Sequence, residues 1–262
     1  MVRSRGHLNP GDPEVRFDRF GIGADGLVRH VWVVRWSVPD GRTRPQRVLT
    51  YPAFNAVIMP GEAGLYGPDR RVSVRTLAGT SWAVGILLRP AAAPFLTDTP
   101  PERLVASHEP LVGAPLGAVL EVMERADGTD RAGLVEVLQN WLGPVAERVD
   151  ERGCLVNEAC RIAEERADLL RTAELADVLG LSERRLERLV KAYTGVTPKW
   201  LIECRRLQQA ATTLFTRPDP DLATLADELG YADQAHFTRR YRAVLGETPA
   251  QTRRAGRVAD HG

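Results

Sequence analysis

The sequence predicts an α+β protein with two parts. The first part is a β-rich N-terminal barrel or sandwich with a helical appendage, and the second is an all-α domain of two helix-turn-helix units joined by a linker helix. Fourteen of the 18 prolines and 16 of the 23 glycines lie before residue 150, and such dense breakers divide a chain into short strands and loops. The second half has few breakers, and one helical pattern occurs there twice.

The change in composition near residue 150 predicts the domain boundaries. We expect a β-rich domain with trailing helices at 1–148, a connecting helix at 149–168, tandem helix-turn-helix units at 169–256 and a tail at 257–262.

The overall composition excludes several classes of protein. Hydrophobic residues make up 44% and charged residues 26% of 262 residues, which excludes a wholly disordered chain. The sequence has no apolar run of about 18 residues and no secretory signal at its start. We therefore expect a cytoplasmic protein that does not interact with membranes.

Cysteine and charge content narrow the chemistry further. Cys154, Cys160 and Cys204 have neither the CxxC spacing nor the histidine partners of a zinc site, so we expect free thiols, no metal and no cofactor. Residues 1–150 contain 17 basic and 17 acidic residues, and the remainder contains 18 and 17. Because neither half has a large excess of positive charge, a surface that binds nucleic acid must be a local cluster of basic residues.

Short segments rich in β-branched and aromatic residues predict strands in the first half. They lie at 30–36, 47–51, 56–59, 72–77 and 82–88. Residues 21–26 match GxGxxG, but a strand is expected after them rather than a helix, so we interpret them as a turn and not as a dinucleotide site.

An apolar stripe at helical spacing follows these strands. Its members are Leu134, Val137, Leu138, Trp141, Leu142 and Val145. The stripe is consistent both with packing onto its own domain and with a dimer interface, and the spacing alone does not decide between them.

The first helix-turn-helix unit begins near Leu169. We expect Thr172 to cap a short helix, Gly180 to end it, and Ser182 to cap the next helix, at 183–193. The outward face of this second helix is strongly basic, as expected for a helix that enters the major groove. Its members are Arg184, Arg185, Glu187, Arg188 and Lys191.

The second unit repeats the first at an offset of 50 residues. Residues 225–231, LADELGY, correspond to residues 175–181, LADVLGL, and Asp233 is placed to cap a helix at 234–245. Basic residues recur on that helix, and a repeat of this kind argues against two unrelated solvated faces. A helix at 198–215 would join the two units as a rod of about 24 Å.

Residues 169–254 resemble the DNA-binding domain of AraC/XylS-type bacterial transcription regulators. The resemblance depends on AxxLGLSxxxLxRL followed by GVTP in the first unit, and on LGYxDQAHFTRRYR followed by GETP in the second. It implies a double-stranded DNA partner. It also implies that Arg184, Glu187 and Arg188 read bases in the first unit, and that Ala235, His236 and Arg239 do so in the second. Our further candidate DNA contacts are Ser182, Arg185, Lys191, Gln234 and Arg240.

Residues 84–96 resemble, more faintly, a segment of the β-rich sensor domain of some of these regulators. A sensor-like domain could enclose a small molecule between aromatic rings and one or two polar groups. The candidate ligand-binding residues are Trp32, Trp36, Tyr51, Asn55, Tyr66 and Trp82. Each of the aromatic residues could equally be a core residue.

These observations favour a DNA-binding transcription regulator that responds to a small molecule. The alternative is a regulator without an effector, whose N-terminal domain only dimerises or contacts RNA polymerase. The sequence contains no GxSxG, HExxH or P-loop motif and no metal cluster, so we assign no catalytic residue and do not expect an enzyme. We expect the chain to form a homodimer.

Overall fold

The first half of the chain is β-rich, as predicted. The computed structural model describes residues 14–48, 52–125, 130–217 and 220–259. Its strands are β1 (Val15–Phe20), β2 (Val28–Ser37), β3 (Arg44–Val48), β4 (Asn55–Met59), β5 (Glu62–Tyr66), β6 (Ser73–Leu77), β7 (Thr80–Leu88) and β8 (His108–Pro110). The helices of this half are α1 (Ala93–Leu96), α2 (Leu116–Arg125) and α3 (Arg131–Ala146), with 3-10 turns at Pro90–Ala92 and Pro101–Arg103.

Six of these strands form one antiparallel sheet. Their order is β1-β2-β7-β4-β5-β8, and β3 pairs with β6 in a separate two-stranded sheet. Within the described residues β1 and β8 are the two edges and do not pair with each other, so the predicted barrel does not close. Helices cover one face of the sheet, and a sheet covered in this way can bury its apolar side without closing.

The covered face contains the core of the N-terminal half. Val31 and Val33 of β2 lie opposite Ile86 and Val84 of β7, and all four are buried. The same cluster contains three leucines of α3, namely Leu134, Leu138 and Leu142. The apolar stripe of α3 therefore packs onto its own sheet, which is one of the two alternatives that the spacing left open.

The second half is helical throughout its described part. Its helices are α4 (Glu151–Glu165), α5 (Thr172–Val178), α6 (Glu183–Thr194), α7 (Pro198–Thr216), α8 (Leu222–Glu228), α9 (Gln234–Leu245) and α10 (Pro249–Ala259). The predicted helix-turn-helix pairs are thus α5–α6 and α8–α9, and α7 is the predicted linker helix. One buried cluster runs through these helices from Val156 of α4 to Leu245 of α9.

Helix α4 contacts both halves. Its Asn157 side chain accepts a hydrogen bond from the backbone N–H of Ala91 at 3.0 Å and donates one to the carbonyl of Gly26 at 2.8 Å. Near its end, Glu164 forms an ion pair with Arg29 of β2 at 2.5 Å. The two halves are therefore joined by specific polar contacts, and not only by the covalent chain.

Two further contacts join the N-terminal half to the helix-turn-helix units. Gly195, at the end of α6, packs so closely on the 3-10 turn at Pro101–Arg103 that a Cβ atom there would lie 2.5 Å from the carbonyl oxygen of Pro101. The backbone N–H of Val72 donates to the carbonyl of Val244 in α9 at 2.9 Å. Both units are thus held against the N-terminal half.

Several strands were not predicted. They are β1, β5 and β8. The strand expected at 47–51 begins earlier, at Arg44, and residues 49–51 lie outside the described residues. The GxGxxG residues at 21–26 connect β1 to β2. A strand precedes this motif and, as expected, a strand rather than a helix follows it, so the helix N-terminus of a dinucleotide site is not present there.

Candidate nucleic-acid interface

The start of α6 is fixed by local hydrogen bonds. Gly180 adopts the left-handed conformation, with φ +64°, and ends the preceding helix as predicted. The Ser182 hydroxyl accepts the backbone N–H of Arg185 at 3.3 Å, so the predicted cap is confirmed. Ser182 lies at the exposed N-terminal end of α6, the end that approaches base edges in a helix-turn-helix complex.

The start of α5 differs from the prediction. Thr172 was expected to cap this helix, but it is the first helical residue. The carboxylate of Glu174 instead accepts the backbone N–H groups of Leu170 and Arg171, at 2.7 and 3.0 Å. Glutamate at the third helical position has the length to reach back to these groups.

The outward face of α6 is exposed as the sequence predicted. Leu186, Leu189 and Val190 are buried, which turns the remaining positions of the helix to solvent. The side chains on that face are Arg184, Arg185, Glu187, Arg188 and Lys191, and all five are exposed. Arginine can make bidentate hydrogen bonds to a guanine edge, so this surface has the chemistry for reading the major groove.

Helix α9 presents a second surface of the same kind. The carboxylate of Asp233 accepts the backbone N–H of His236 at 2.6 Å and caps the helix, as predicted. Gln234, Ala235 and Arg239 are exposed near its N-terminus. Alanine cannot form a hydrogen bond with a base, but its methyl group can contact the methyl group of thymine.

His236 and Arg240 are less accessible than the other candidates on α9. The His236 ring meets the Tyr231 ring edge-on, with centroids 5.5 Å apart. The Arg240 guanidinium donates to both carboxylate oxygens of Glu203 on α7, at 2.5 and 2.8 Å. This hydrogen bonding raises the pKa of Arg240 above its usual value, and it holds the guanidinium against the linker helix.

The linker helix is anchored by a buried arginine. Arg205 of α7 is 7% exposed, and its guanidinium donates to the carbonyls of Arg166 and Leu169, at 2.5 and 2.6 Å. Burial lowers the pKa of Arg205, and the two carbonyls supply hydrogen bonds in place of water. These contacts fix α7 against the segment between α4 and α5, so the two helix-turn-helix units share a rigid support.

A groove of about 640 Å³ lies between the two units. We call it the inter-unit groove. Arg206 of α7 stacks on the ring of Tyr231 there, with its Cζ atom 4.0 Å from the ring centroid. Its lining also includes Arg171, Glu183, Lys199, Glu203, His236 and Arg240. Arg171, Lys199 and Arg206 were not predicted as site residues, because the groove is formed by helices that are distant in the sequence.

The candidate ligand-binding residues do not form one site. Trp32 and Asn55 do meet, since the indole N–H donates to the Asn55 amide oxygen at 3.2 Å, and Tyr66 lies opposite Asn55 in the strand register. Trp36 lies further along β2, where its indole N–H donates to the carbonyl of Ala78 at 3.1 Å. Trp32, Asn55 and Tyr66 thus form a polar and aromatic cluster on the sheet face opposite α2 and α3.

Besides Trp36, two of the six candidates are not in that cluster. Trp82 of β7 pairs with Arg35 of β2, and Arg35 lies three residues from Trp32 along that strand. Because side chains alternate between the two faces of a strand, Arg35 and Trp82 lie on the helix-covered face, opposite to Trp32. The prediction that it shares a site with Trp32 is wrong. Tyr51 lies outside the described residues.

His30 lies on the same sheet face as Trp32, two residues away along β2. Burial lowers the pKa of His30 to about 4, and the positive charges of Arg19 and Arg29 add to this effect. The imidazole is therefore neutral at pH 7. The sequence showed His30 only as an isolated histidine, because the sheet and not a local motif gathers its neighbours.

The cysteines and acidic residues form no metal centre in the described part of the chain. No group of three or more His, Cys, Asp or Glu side chains there could hold a metal ion. The three cysteines, all within the described residues, form no disulfide with one another, and burial raises the pKa of the Cys204 thiol to about 12. The described helices include none long and apolar enough to cross a membrane.

Comparison with known proteins matches both halves of the chain. A family model described as a helix-turn-helix domain matches residues 175–255, and one described as a domain of unknown function (DUF6597) matches residues 25–110. The HTH-type transcriptional activator RhaS of Pectobacterium atrosepticum is 33% identical over 79 residues. These residues are 30% of this chain but only 28% of that activator's length.

Two other similar proteins are covered more fully. The probable transcription factor PqrA of Proteus vulgaris is 33% identical over 86 residues, which are 33% of this chain and 70% of that protein. A crystal structure of an AraC-type DNA-binding domain-containing transcriptional regulator from Chromobacterium violaceum is 30% identical, with a TM-score of 0.36. The match to this structure covers 39% of this chain and 92% of that one.

Proposed function

Because this chain belongs to the AraC/XylS-type helix-turn-helix transcription regulators, we propose that it binds double-stranded DNA sequence-specifically through α6 and α9. The observation that carries the proposal is the pair of capped helices with exposed, arginine-rich faces, held by one linker helix. A single chain can then read two adjacent major-groove segments. Phosphate contacts supply salt-dependent affinity, and base contacts supply specificity.

The assignment of individual contacts follows from exposure. Arg184, Glu187, Arg188 and Arg239 are exposed, which supports their proposed role in base reading, whereas Ala235 would contribute a methyl contact. Ser182, Arg185, Lys191 and Gln234 are proposed as accessory contacts. Arg240 would have to exchange its bonds to Glu203 for a phosphate, and His236 would have to act from the rim of the inter-unit groove.

The experiment that tests this function compares the chain's own upstream DNA with random DNA across a salt series. A specificity ratio of about 10³ or more, together with a linear fall of log K with log salt, is the expected result. Equal binding to both DNAs with the same steep salt dependence would reduce the surface to a non-specific basic patch and overturn the proposal.

We further propose that the N-terminal domain binds a small molecule and biases the DNA-binding units. The cluster of Trp32, Asn55 and Tyr66 supports a site on the sheet face opposite α2 and α3. The contacts at Gly195 and Val72 give this domain a physical route to both units. Binding to the native state raises the melting temperature, so a ligand screen by thermal shift tests this proposal.

The alternative is a regulator without an effector, whose N-terminal domain forms a homodimer or contacts RNA polymerase. Sedimentation of the free protein and of its DNA complex tests the dimer, and a pull-down with purified polymerase tests the second contact. In both cases we propose a cytoplasmic protein without enzymatic activity, organised in the domains 1–148, 149–168 and 169–256.

A further inference from the structure

The inter-unit groove borders both reading helices. Its lining includes Glu183, the first residue of α6, and His236 and Arg240 of α9. When two neighbouring helices occupy successive major-groove segments, the intervening turn of backbone passes between them. The groove is therefore placed to meet phosphates and not base edges.

The charge of the groove favours an anion. Its lining has four cationic side chains, Arg171, Lys199, Arg206 and Arg240, and two carboxylates. Glu203 is already neutralised by Arg240 through two hydrogen bonds. Three cations thus remain against the single carboxylate of Glu183, in a concave site that concentrates their field.

Unsatisfied buried polar atoms point independently to a ligand. Tyr231 is 6% exposed, and its hydroxyl has no hydrogen-bond partner among the described residues. The Nε of Arg206, which stacks on that ring, is buried and also lacks a partner there. Buried polar groups are rarely left unpaired, because an unmade hydrogen bond costs about 1–3 kcal/mol.

Both of these groups are hydrogen-bond donors at neutral pH. Burial raises the pKa of Tyr231 to about 12, so its phenol remains protonated. A guanidinium has only donors. The ligand that satisfies them must therefore be an acceptor, and the surrounding charge requires it to be negative.

We propose that the inter-unit groove binds the DNA phosphate backbone between the two major-groove segments, with Arg206, Lys199 and the Tyr231 hydroxyl as its contacts. This proposal rests on the proposed function, since it needs DNA on α6 and α9. Such a contact fixes the spacing between the two half-sites without reading a base.

The first experiment measures how the salt dependence of operator binding changes in Arg206→Gln. Loss of one phosphate contact lowers the slope of log K against log salt by about 0.9, and it weakens operator and random DNA equally. Lys199→Gln, at an exposed position, makes the same test with less risk to folding. Arg125→Gln is the matched control, because Arg125 is an exposed arginine on α2 of the N-terminal half.

The second experiment locates the contact on the DNA. Operators with one neutral methylphosphonate at a time are titrated with the wild-type chain and with Tyr231→Phe, which removes only the hydroxyl. Wild-type affinity should fall several-fold at phosphates between the half-sites. In Tyr231→Phe, a methylphosphonate at one of those phosphates should reduce the affinity by less than it does in the wild type. At all other phosphates, the two proteins should lose the same affinity.

The outcomes separate this proposal from the proposed function. Specific operator binding with unchanged slopes in Arg206→Gln and Lys199→Gln would overturn the groove assignment alone, whereas absence of specific binding by the wild type would overturn both. Thermal stabilisation of the wild type by inorganic phosphate at constant ionic strength, with unchanged DNA slopes, would assign the groove to a free anion and overturn the DNA assignment.

Discussion

Two glycines at equivalent positions of the repeat provide a matched test of the contact between the halves. Gly195 ends α6 and Gly246 ends α9, with φ +71° and +70°. A Cβ atom added at Gly195 would lie 2.5 Å from the carbonyl oxygen of Pro101 and 2.8 Å from Cγ2 of Val105, whereas one added at Gly246 meets nothing within 4 Å. Gly195→Ala therefore combines backbone strain with a clash, and Gly246→Ala has only the strain.

The expected magnitudes follow from this difference. A left-handed conformation costs an alanine about 1–2 kcal/mol relative to glycine, and this applies to both variants. The clash at Gly195 involves backbone atoms that cannot rotate away, and overpacking of this kind costs about 1–3 kcal/mol more. For a chain of this length each kcal/mol lowers Tm by about 2–4 °C. Gly195→Ala should therefore lower Tm by at least about 2 °C more than Gly246→Ala does.

Thermal unfolding of the two full-length variants, followed by circular dichroism and calorimetry, gives the comparison directly. Limited proteolysis shows whether Gly195→Ala also separates the two halves. Equal losses of Tm in the two variants, with the same cleavage pattern, would refute the reasoning, because the carbonyl of Pro101 would then not be in contact with α6.

Three other perturbations test the reading helices and the sheet. Arg188→Ala should weaken operator binding by about 1–3 kcal/mol and relax the preference at one base pair, whereas an equal loss on random DNA would make Arg188 a phosphate contact. Asp233→Ala should lower the free energy of unfolding by about 1 kcal/mol in a urea titration, since the cap to the His236 N–H is lost; an unchanged value would contradict the cap. The folded-state pKa of His30 is about 4, below its ordinary value near 6.5, so the unfolded chain takes up the extra proton and stability falls as pH decreases from about 6.5 towards 4. The loss is less than about 1.4 kcal/mol per pH unit because His30 is only partly buried, and His30→Gln should reduce it; superimposable pH curves would exclude His30 as the source.

The helical half was predictable because its signals are local. Ser182 and Asp233 fix the starts of α6 and α9 through bonds to residues three positions on, and the observed helices begin at the expected residues. The 50-residue repeat supported the prediction further, because the same helix pattern could be recognised independently in each unit. The error at Thr172 is a displacement of one residue, because the helix begins at Thr172 itself, Arg171 occupies the cap position, and Glu174 accepts the N–H of Arg171.

The β-rich half and the groove depended on contacts that no short window of sequence contains. β5 contains Gly64 at its centre, which weakens a strand pattern, and β8 has only three residues, so both form through pairing with neighbours. Whether the sheet closes is likewise a property of its two edges. The bond between Arg240 and Glu203 joins residues 37 positions apart, which is why Arg240 looked like a fully available cation in the sequence.

Helix α4 has a consequence for the exchange of modules between regulators. Its apolar residues belong to the buried cluster of the helix-turn-helix half, whereas Asn157 and Glu164 bond to Gly26, Ala91 and Arg29 of the other half. A chimera joined before α4 would keep the cluster but lose its partners on the sheet, and one joined after α4 would expose the cluster. A functional chimera with this DNA-binding half must therefore include α4. Its new N-terminal domain must also provide partners equivalent to Gly26, Ala91 and Arg29. The interface between the halves, and not the length of a linker, then decides which chimeras fold and function.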